Sequence, residues 1–320
     1  MSNDALSPSA FGLMFHHFYD GGRHPRGQGA ISAETFNAML AHFGEDLLDA
    51  REWADRLLTG NLRERQICIT FDDGLRCQFD VARPVLEARG LTAFWFPYTG
   101  PLAGMRDRLE MYRYYRTVGF ADIEGFYEAF ERAWRAHPDA GAVMDGLAEF
   151  DPGKYLAGYP FYTDGDRRFR FIRDRLLGQE RFFEVMDGMI ADDGFVPDDV
   201  ARLLWMGWPE LAELQASGHV IGLHSHTHPT SLLDLDRDAR AWEFDTNANM
   251  LEKGLGTTAD CVAYPCGAYD NALISMLSER GVRVGFQSRM GPSDGAMTVP
   301  RLDHAIALQE MAATVTAKVD

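Results

Sequence analysis

Short apolar runs separated by amphipathic stretches set the organisation of this chain. Gly12-Leu13-Met14-Phe15, Ile67-Cys68-Ile69-Thr70-Phe71 and Thr92-Ala93-Phe94-Trp95-Phe96-Pro97 are of strand length and mostly apolar along both faces. His219-Val220-Ile221-Gly222-Leu223, Cys261-Val262-Ala263-Tyr264 and the segment 282–286 read the same way. Such runs predict strands buried on both sides, as parallel strands are. Between them the period changes to that of a helix. Phe36, Met39, Leu40 and Phe43 recur on one face behind Ser32, whose side chain suits an N-cap. Pro84 suits a first helical turn and Gly90 the stop after Arg89. Further helices are predicted from Trp208 to Ser217 before Gly218, over 239–255, and from Asn271 to Arg280 before Gly281. Strands alternating with helices predict a parallel α/β sheet, open or closed into a barrel.

From about residue 101 to 204 that alternation lapses. Arg, Asp, Tyr and Phe recur at helical intervals there, Phe126, Phe130 and Trp134 among them. The stretch predicts a mostly helical insertion, since roughly a hundred residues of structureless loop are uncommon. Its Tyr112, Tyr114, Tyr115, Tyr159, Phe161, Arg167, Arg168 and Arg170 would cover a site, make an oligomer contact or pack a helical subdomain.

Charge and composition narrow the partners. Acidic residues outnumber basic ones by 48 to 31, for a formal charge of -17. That balance argues against a nucleic-acid partner, since phosphate binding needs a basic surface, and against an anionic membrane. No apolar stretch is long enough to span a bilayer. Met1-Ser2-Asn3-Asp4-Ala5-Leu6 lacks a cationic start running into an apolar core, so no export signal is expected. Cys68, Cys77, Cys261 and Cys266 show no CxxC spacing, and reduced thiols in the cytoplasm are the expectation.

The candidate chemistry gathers where strands end. Ile67–Phe71 runs straight into Asp72-Asp73-Gly74, and Gly74 permits the sharp exit. Adjacent carboxylates at the end of a buried strand are unfavourable unless a cation stands beside them. His219–Leu223 ends in His224-Ser225-His226-Thr227-His228-Pro229. His224 and His228 are four apart, so a helical turn would aim both imidazoles one way. Two His and one carboxylate, Asp73 or Asp72, suit a divalent cation, most often zinc, with positions left open. The other aspartate would then serve as general base. His16, with His17 as its rival, and Pro265-Cys266-Gly267 also follow strands. Taken alone, an Asp-Asp-Gly is an ordinary turn and a His-rich stretch a surface loop. Their shared position at carboxyl strand ends, where α/β folds keep their sites, outweighs that bland reading. His226 stands between the two ligand candidates. Cys266 has no evident His or Asn partner that would make it a nucleophile.

Thr70-Phe71-Asp72-Asp73-Gly74 and His224-Ser225-His226-Thr227-His228-Pro229 resemble the first two motifs of the polysaccharide deacetylase (NodB-homology, carbohydrate esterase family 4) superfamily. The resemblance covers roughly residues 10–100 and 205–305. It implies a distorted (β/α) barrel, here one catalytic domain over 1–320 with the helical insertion at about 101–204. It also implies a metal-dependent hydrolase that removes acetyl groups from sugars. Asp73, His224 and His228 would hold the metal, most often Zn2+, and Asp72 would be the base. Two departures stand out. Ala263-Tyr264-Pro265-Cys266-Gly267 lacks the arginine that orients the base in the family's third motif, and cysteine replaces its tyrosine. Cys266 would keep that position's main-chain N–H for the oxyanion. No clear late Leu-x-His motif supplies the general acid, and Leu302-Asp303-His304 matches it loosely. Leu13-Met14-Phe15-His16, however, resembles the early acid element of the poly-N-acetylglucosamine deacetylase branch, which also carries Ala-Tyr-Pro-x-Gly. The resemblance therefore favours His16 over His304. It implies N-deacetylation of a sugar, and with no export signal expected, an intracellular acetamido sugar such as a nucleotide- or lipid-linked one is the expected substrate. Another amide hydrolase, such as a deformylase or cyclic amidase, or a non-catalytic carbohydrate-binding homologue are the alternatives.

Overall fold

Residues 10–27, 29–157 and 162–316 are described in the computed structural model. They divide into two units, one of Met1–Asp107 with Arg202–Asp320, the other of Arg108–Ala201. Nine strands belong to the first: β1 (Phe11–Phe15), β2 (Phe18–Tyr19), β3 (Ile31–Ser32), β4 (Ile67–Asp72), β5 (Phe94–Phe96), β6 (Val220–Ile221), β7 (Cys261–Ala263), β8 (Val284–Phe286) and β9 (Arg301–Asp303). Its early helices are α1 (Ala33–Phe43), α2 (Ala50–Leu58) and α3 (Arg83–Arg89). The second unit carries α4 (Arg108–Val118), α5 (Ile123–Ala136), α6 (Ala140–Gly146), α7 (Asp164–Phe171) and α8 (Gly178–Asp192), and α9 (Pro197–Leu204) leads back. Then follow α10 (Trp208–Ala216), α11 (Arg237–Leu255), α12 (Asn271–Glu279) and α13 (His304–Thr316).

Five strands pair in parallel in the order β6-β5-β4-β1-β9, and β7 pairs in parallel with β8. Single bridges join the two sets. Leu223 pairs with Val262 beyond the end of β6, and Val299, just before β9, pairs with Phe286 of β8. The seven strands so close a parallel ring with two thin seams, the distorted barrel that the sequence predicts, and β2 and β3 pair apart from it.

The two-residue period of β4 decides what faces inward. Cys68 joins a core with Phe94, Phe96, Val220, Ala263 and Phe286, which Trp53 of α2 completes. Phe94 and Phe286 meet at 5.2 Å although two strands separate β5 from β8 in the ring, so this core fills the barrel interior. Phe71 turns the other way, stacking on Trp95 at 4.2 Å and meeting Phe36 of α1. Asp72, in step with Cys68 and Thr70, is the last inward position of β4. Gly12 leaves room for Thr70 and Arg301: a Cβ there would stand 3.1 Å from Thr70 Cγ2 and 3.4 Å from Arg301 Cγ. The expected caps form. Ser32 Oγ accepts from Thr35 N at 3.1 Å, and Gly90 closes α3 in the left-handed region.

In the second unit one face of α5, Phe126, Phe130 and Trp134, packs with Phe169, Phe182, Met186 and Ile190. Tyr112 donates to Asp187 at 2.6 Å, Tyr115 donates to Asp193, and Arg168 pairs with Glu131 at 3.0 Å. Arg167 pairs with Asp164. Tyr159 and Phe161 lie outside the described residues.

Candidate active site

The barrel brings the sequence candidates to one end. His16 follows β1, Asp72 closes β4, His224 lies just past β6 and Cys266 just past β7. Asp73, His224 and His228 can each offer one ligand atom, with those atoms all within 4.8 Å of one another. Asp73 Oδ1 stands 3.4 Å from His224 Nε2 and 3.6 Å from His228 Nε2. That oxygen is buried without a hydrogen-bond partner. An orphaned carboxylate oxygen facing two imidazole nitrogens is the donor set a divalent cation such as zinc takes. His224 Nδ1 lies 2.7 Å from the Ala263 carbonyl, which fixes Nδ1 as the protonated nitrogen and leaves Nε2 its lone pair. Burial would raise the Asp73 carboxyl, but the approach of His224 and the charges of His228 and His16 hold it far below the ordinary carboxylate range. Burial keeps the His228 imidazole lowered, hence neutral and fit to ligate.

Asp72 is set apart from that triad by a partner that the sequence reading missed. Arg301, fully buried on β9, donates through both terminal nitrogens to the two oxygens of Asp72, at 2.6 and 2.7 Å. Its Nε donates to the Gln287 carbonyl at 2.5 Å and Nη1 to Thr70 Oγ1 at 3.3 Å. The third motif lacks an arginine, and the guanidinium beside Asp72 comes from another strand instead. Burial would raise the Asp72 carboxyl, but the Arg301 guanidinium outweighs it and keeps the group ionised. The signal for Arg301 was a charged residue inside the apolar stretch Val299-Pro300-Arg301-Leu302. A three-residue strand was too short for periodicity to find.

His16 Nε2 lies 3.8 Å from Asp72 Oδ2, with its side chain partly exposed and its ring stacked beside His17. His304 points elsewhere: it starts α13, stacks on Phe15, and its Nε2 bonds the Gly29 carbonyl at 2.9 Å. His226 does not join the triad. Its Nδ1 meets Thr99 Oγ1 at 2.9 Å and its ring meets the edge of Trp242. Cys266 lies in a tight turn with part of its surface open, and the desolvation of its thiol, then the Asp73 and Asp72 carboxylates, push it up. A raised thiol is a poor nucleophile.

The loop from His224 to His228 is not the helical turn that the four-residue spacing suggested. Ser225 and His228 have φ of 63° and 54°. Among the described residues six non-glycine positions are left-handed, and four of them, Asp73, Ser225, His228 and Cys266, are here. Each costs about 1 kcal/mol or more, so the surroundings must over-determine the loop. Ser225 Oγ accepts from His228 N at 3.1 Å, and the His226 carbonyl accepts from Gly100 N at 2.7 Å. Asn247 Oδ1 accepts from His224 N at 3.0 Å. Glu243 Oε2 accepts from His226 N and Thr227 N at 2.9 and 2.8 Å. Neither Glu243 nor Asn247 was marked by the sequence, where both read as ordinary residues of a helix.

A family model described as polysaccharide deacetylase matches residues 182–285, a stretch that holds His224, His228 and Cys266 but not Asp72, Asp73 or His16. In fold the chain is similar to the Streptococcus pyogenes deacetylase PplD, solved in complex with acetate, at 14% identity and TM-score 0.55 over 94% of this chain and 97% of that one. It is similar to IcaB from Ammonifex degensii at 18% identity and TM-score 0.54, over 95% of this chain and 96% of that one. A de-N-acetylase from Aggregatibacter actinomycetemcomitans is similar at 13% identity and TM-score 0.52, over 92% of this chain and 94% of that one. No curated protein matches the sequence.

Proposed function

We propose that this chain, a member of the polysaccharide deacetylase superfamily, is a metal-dependent hydrolase that removes the N-acetyl group from an acetamido sugar. The observation that carries the reading is the Asp73–His224–His228 triad standing beside a second carboxylate, Asp72, that Arg301 holds ionised. A divalent cation in the triad, most simply Zn2+, would polarise the acetamide carbonyl and acidify the attacking water. Asp72 takes the proton from that water, its carboxylate kept in place by the two-pronged Arg301 contact. The Cys266 N–H, in its tight turn after β7, donates to the developing oxyanion. His16 protonates the leaving amine, a role supported by its 3.8 Å approach to Asp72 and its partial exposure.

The unit at 108–201 is read as an insertion into one catalytic domain, with a contact between copies as a possible use. Cys68, Cys261 and Cys266 stand as free thiols, which supports a reducing, cytoplasmic setting and hence a nucleotide- or lipid-linked substrate rather than an exported polymer. The missing third-motif arginine was the feature that favoured a non-catalytic homologue, and the contact of Arg301 with Asp72 supports the catalytic reading instead. Incubating the zinc-loaded chain with N-acetylglucosamine oligomers and with a nucleotide-linked acetamido sugar, and assaying acetate against formate, tests the reading. Acetate release that is lost in Asp72→Asn supports it. Formate alone selects the deformylase alternative, and hydrolysis unchanged in Asp72→Asn contradicts the mechanism.

A further inference from the structure

We propose that Glu243 and Asn247, one turn apart on α11, are positioning residues that hold the His224–His228 loop in its ligand geometry and so set the site's affinity for its cation. This rests on reading Asp73, His224 and His228 as a metal centre. The loop has left the β6 ladder, and its backbone amides need acceptors. Two side chains of one helix supply most of them. Asn247 takes the His224 N–H, and Glu243 takes those of His226 and Thr227 together with the Thr227 hydroxyl. Asn247 also donates to the Pro97 carbonyl and to Thr99 Oγ1, both at 3.2 Å, and Thr99 in turn bonds His226. The loops after β5 and β6 are thereby tied to the same turn of α11.

Both side chains are almost wholly buried, at 4% and 0% exposure. Among the described residues no Arg or Lys pairs with Glu243, so its charge is met by loop amides and a hydroxyl. A residue that merely filled space between α11 and the barrel would be apolar, since burying a carboxylate is costly without such partners. Left-handed Ser225 and His228 give the free loop a reason to relax, and a relaxed loop must be reordered each time a cation binds. Outer partners that fix ligand orientation typically change metal affinity by about 10- to 100-fold.

The test titrates Zn2+ into the full, chelator-stripped chain against a chromophoric chelator. Glu243→Leu and Asn247→Leu are expected to weaken zinc binding by about 10- to 100-fold each. Glu243→Gln, which keeps an acceptor for the two amides, stays close to wild type. Leu251→Ala, a buried apolar side chain on the same helix that can accept no loop amide, lowers Tm but leaves zinc affinity as it was. If Glu243→Leu does not fold, Thr227→Val removes one of the three bonds alone, and a weaker affinity again supports the proposal. Folded leucine variants that bind zinc like wild type overturn it, as does an unchanged affinity in Thr227→Val where that variant decides. A wild type that takes up no zinc instead fails the underlying metal reading, a different and distinguishable outcome.

Discussion

Asp72 closes β4 at a ladder position, with Asp73 immediately after it, whereas His224 and His228 stand on a loop that no strand or helix continues. On the strand side, geometry comes from the barrel itself. The β period aims Asp72 inward, Gly12 leaves space, and Arg301 from a neighbour of β1 meets it two-pronged. On the loop side, side chains of α11 stand in for the missing ladder. The contrast teaches that Asp72, the proposed base, and the two histidines of the proposed metal centre can be perturbed separately. Faults at Asp72 and Arg301 should fall on chemistry and global stability, and faults at the partners of the His224–His228 loop on cation affinity.

The largest expected effect separates those two. Asp72→Asn should lower acetate release by about 10²- to 10⁴-fold, the usual worth of a general base, with zinc affinity close to wild type. A matching loss of zinc would erase the distinction. Next comes the buried pair. Arg301→Met leaves Asp72 without its partner and should cost about 3–5 kcal/mol in denaturant unfolding. Removing both charges, in Arg301→Met with Asp72→Leu, should cost less than the sum of the singles.

A smaller effect lies at the base of the loop side. His219 opens the run into β6, its Nδ1 accepts from Ala93 N at 3.0 Å, and burial lowers it to about 4. Unfolded, it would titrate near 6.5, so the unfolded chain gains the proton first and stability falls as pH drops from about 6.5 to 4. The shift corresponds to about 3 kcal/mol across that window. His219→Asn, which keeps an acceptor without titrating, should flatten that part of a Tm-against-pH series. An identical slope in both would show that acid sensitivity lies elsewhere. The smallest effect concerns Ser225. Ser225→Ala removes the acceptor for His228 N but keeps the left-handed cost, for a loss of about 1 kcal/mol. Ser225→Gly loses the same bond yet relieves the backbone, so unfolding measurements should place it nearer wild type.

The same contrast explains what the sequence could tell. Ile67–Gly74 was readable because a fully buried strand writes itself as an apolar run and its carboxylates then stand out. The parallel sheet followed from the alternation of such runs with helices, and its closure into a barrel from the family resemblance. His224 and His228 were readable as residues and as a pair, but their conformation was not. Spacing alone suggested a helical turn, while left-handed Ser225 and His228 belong to a loop whose other amides are held by partners 16 to 23 residues further on. Arg301 stayed hidden because its strand is three residues long and its partner is 229 positions away. Glu243 looked like the polar face of an amphipathic helix, and burial of that face depends on the loop above it.

Zinc binding to the stripped chain tests the central claim most directly. Isothermal titration should find one saturable site per chain in wild type that is lost in His224→Ala, with the fold retained by circular dichroism. No saturable binding in wild type, or equal binding in folded His224→Ala, would contradict the account.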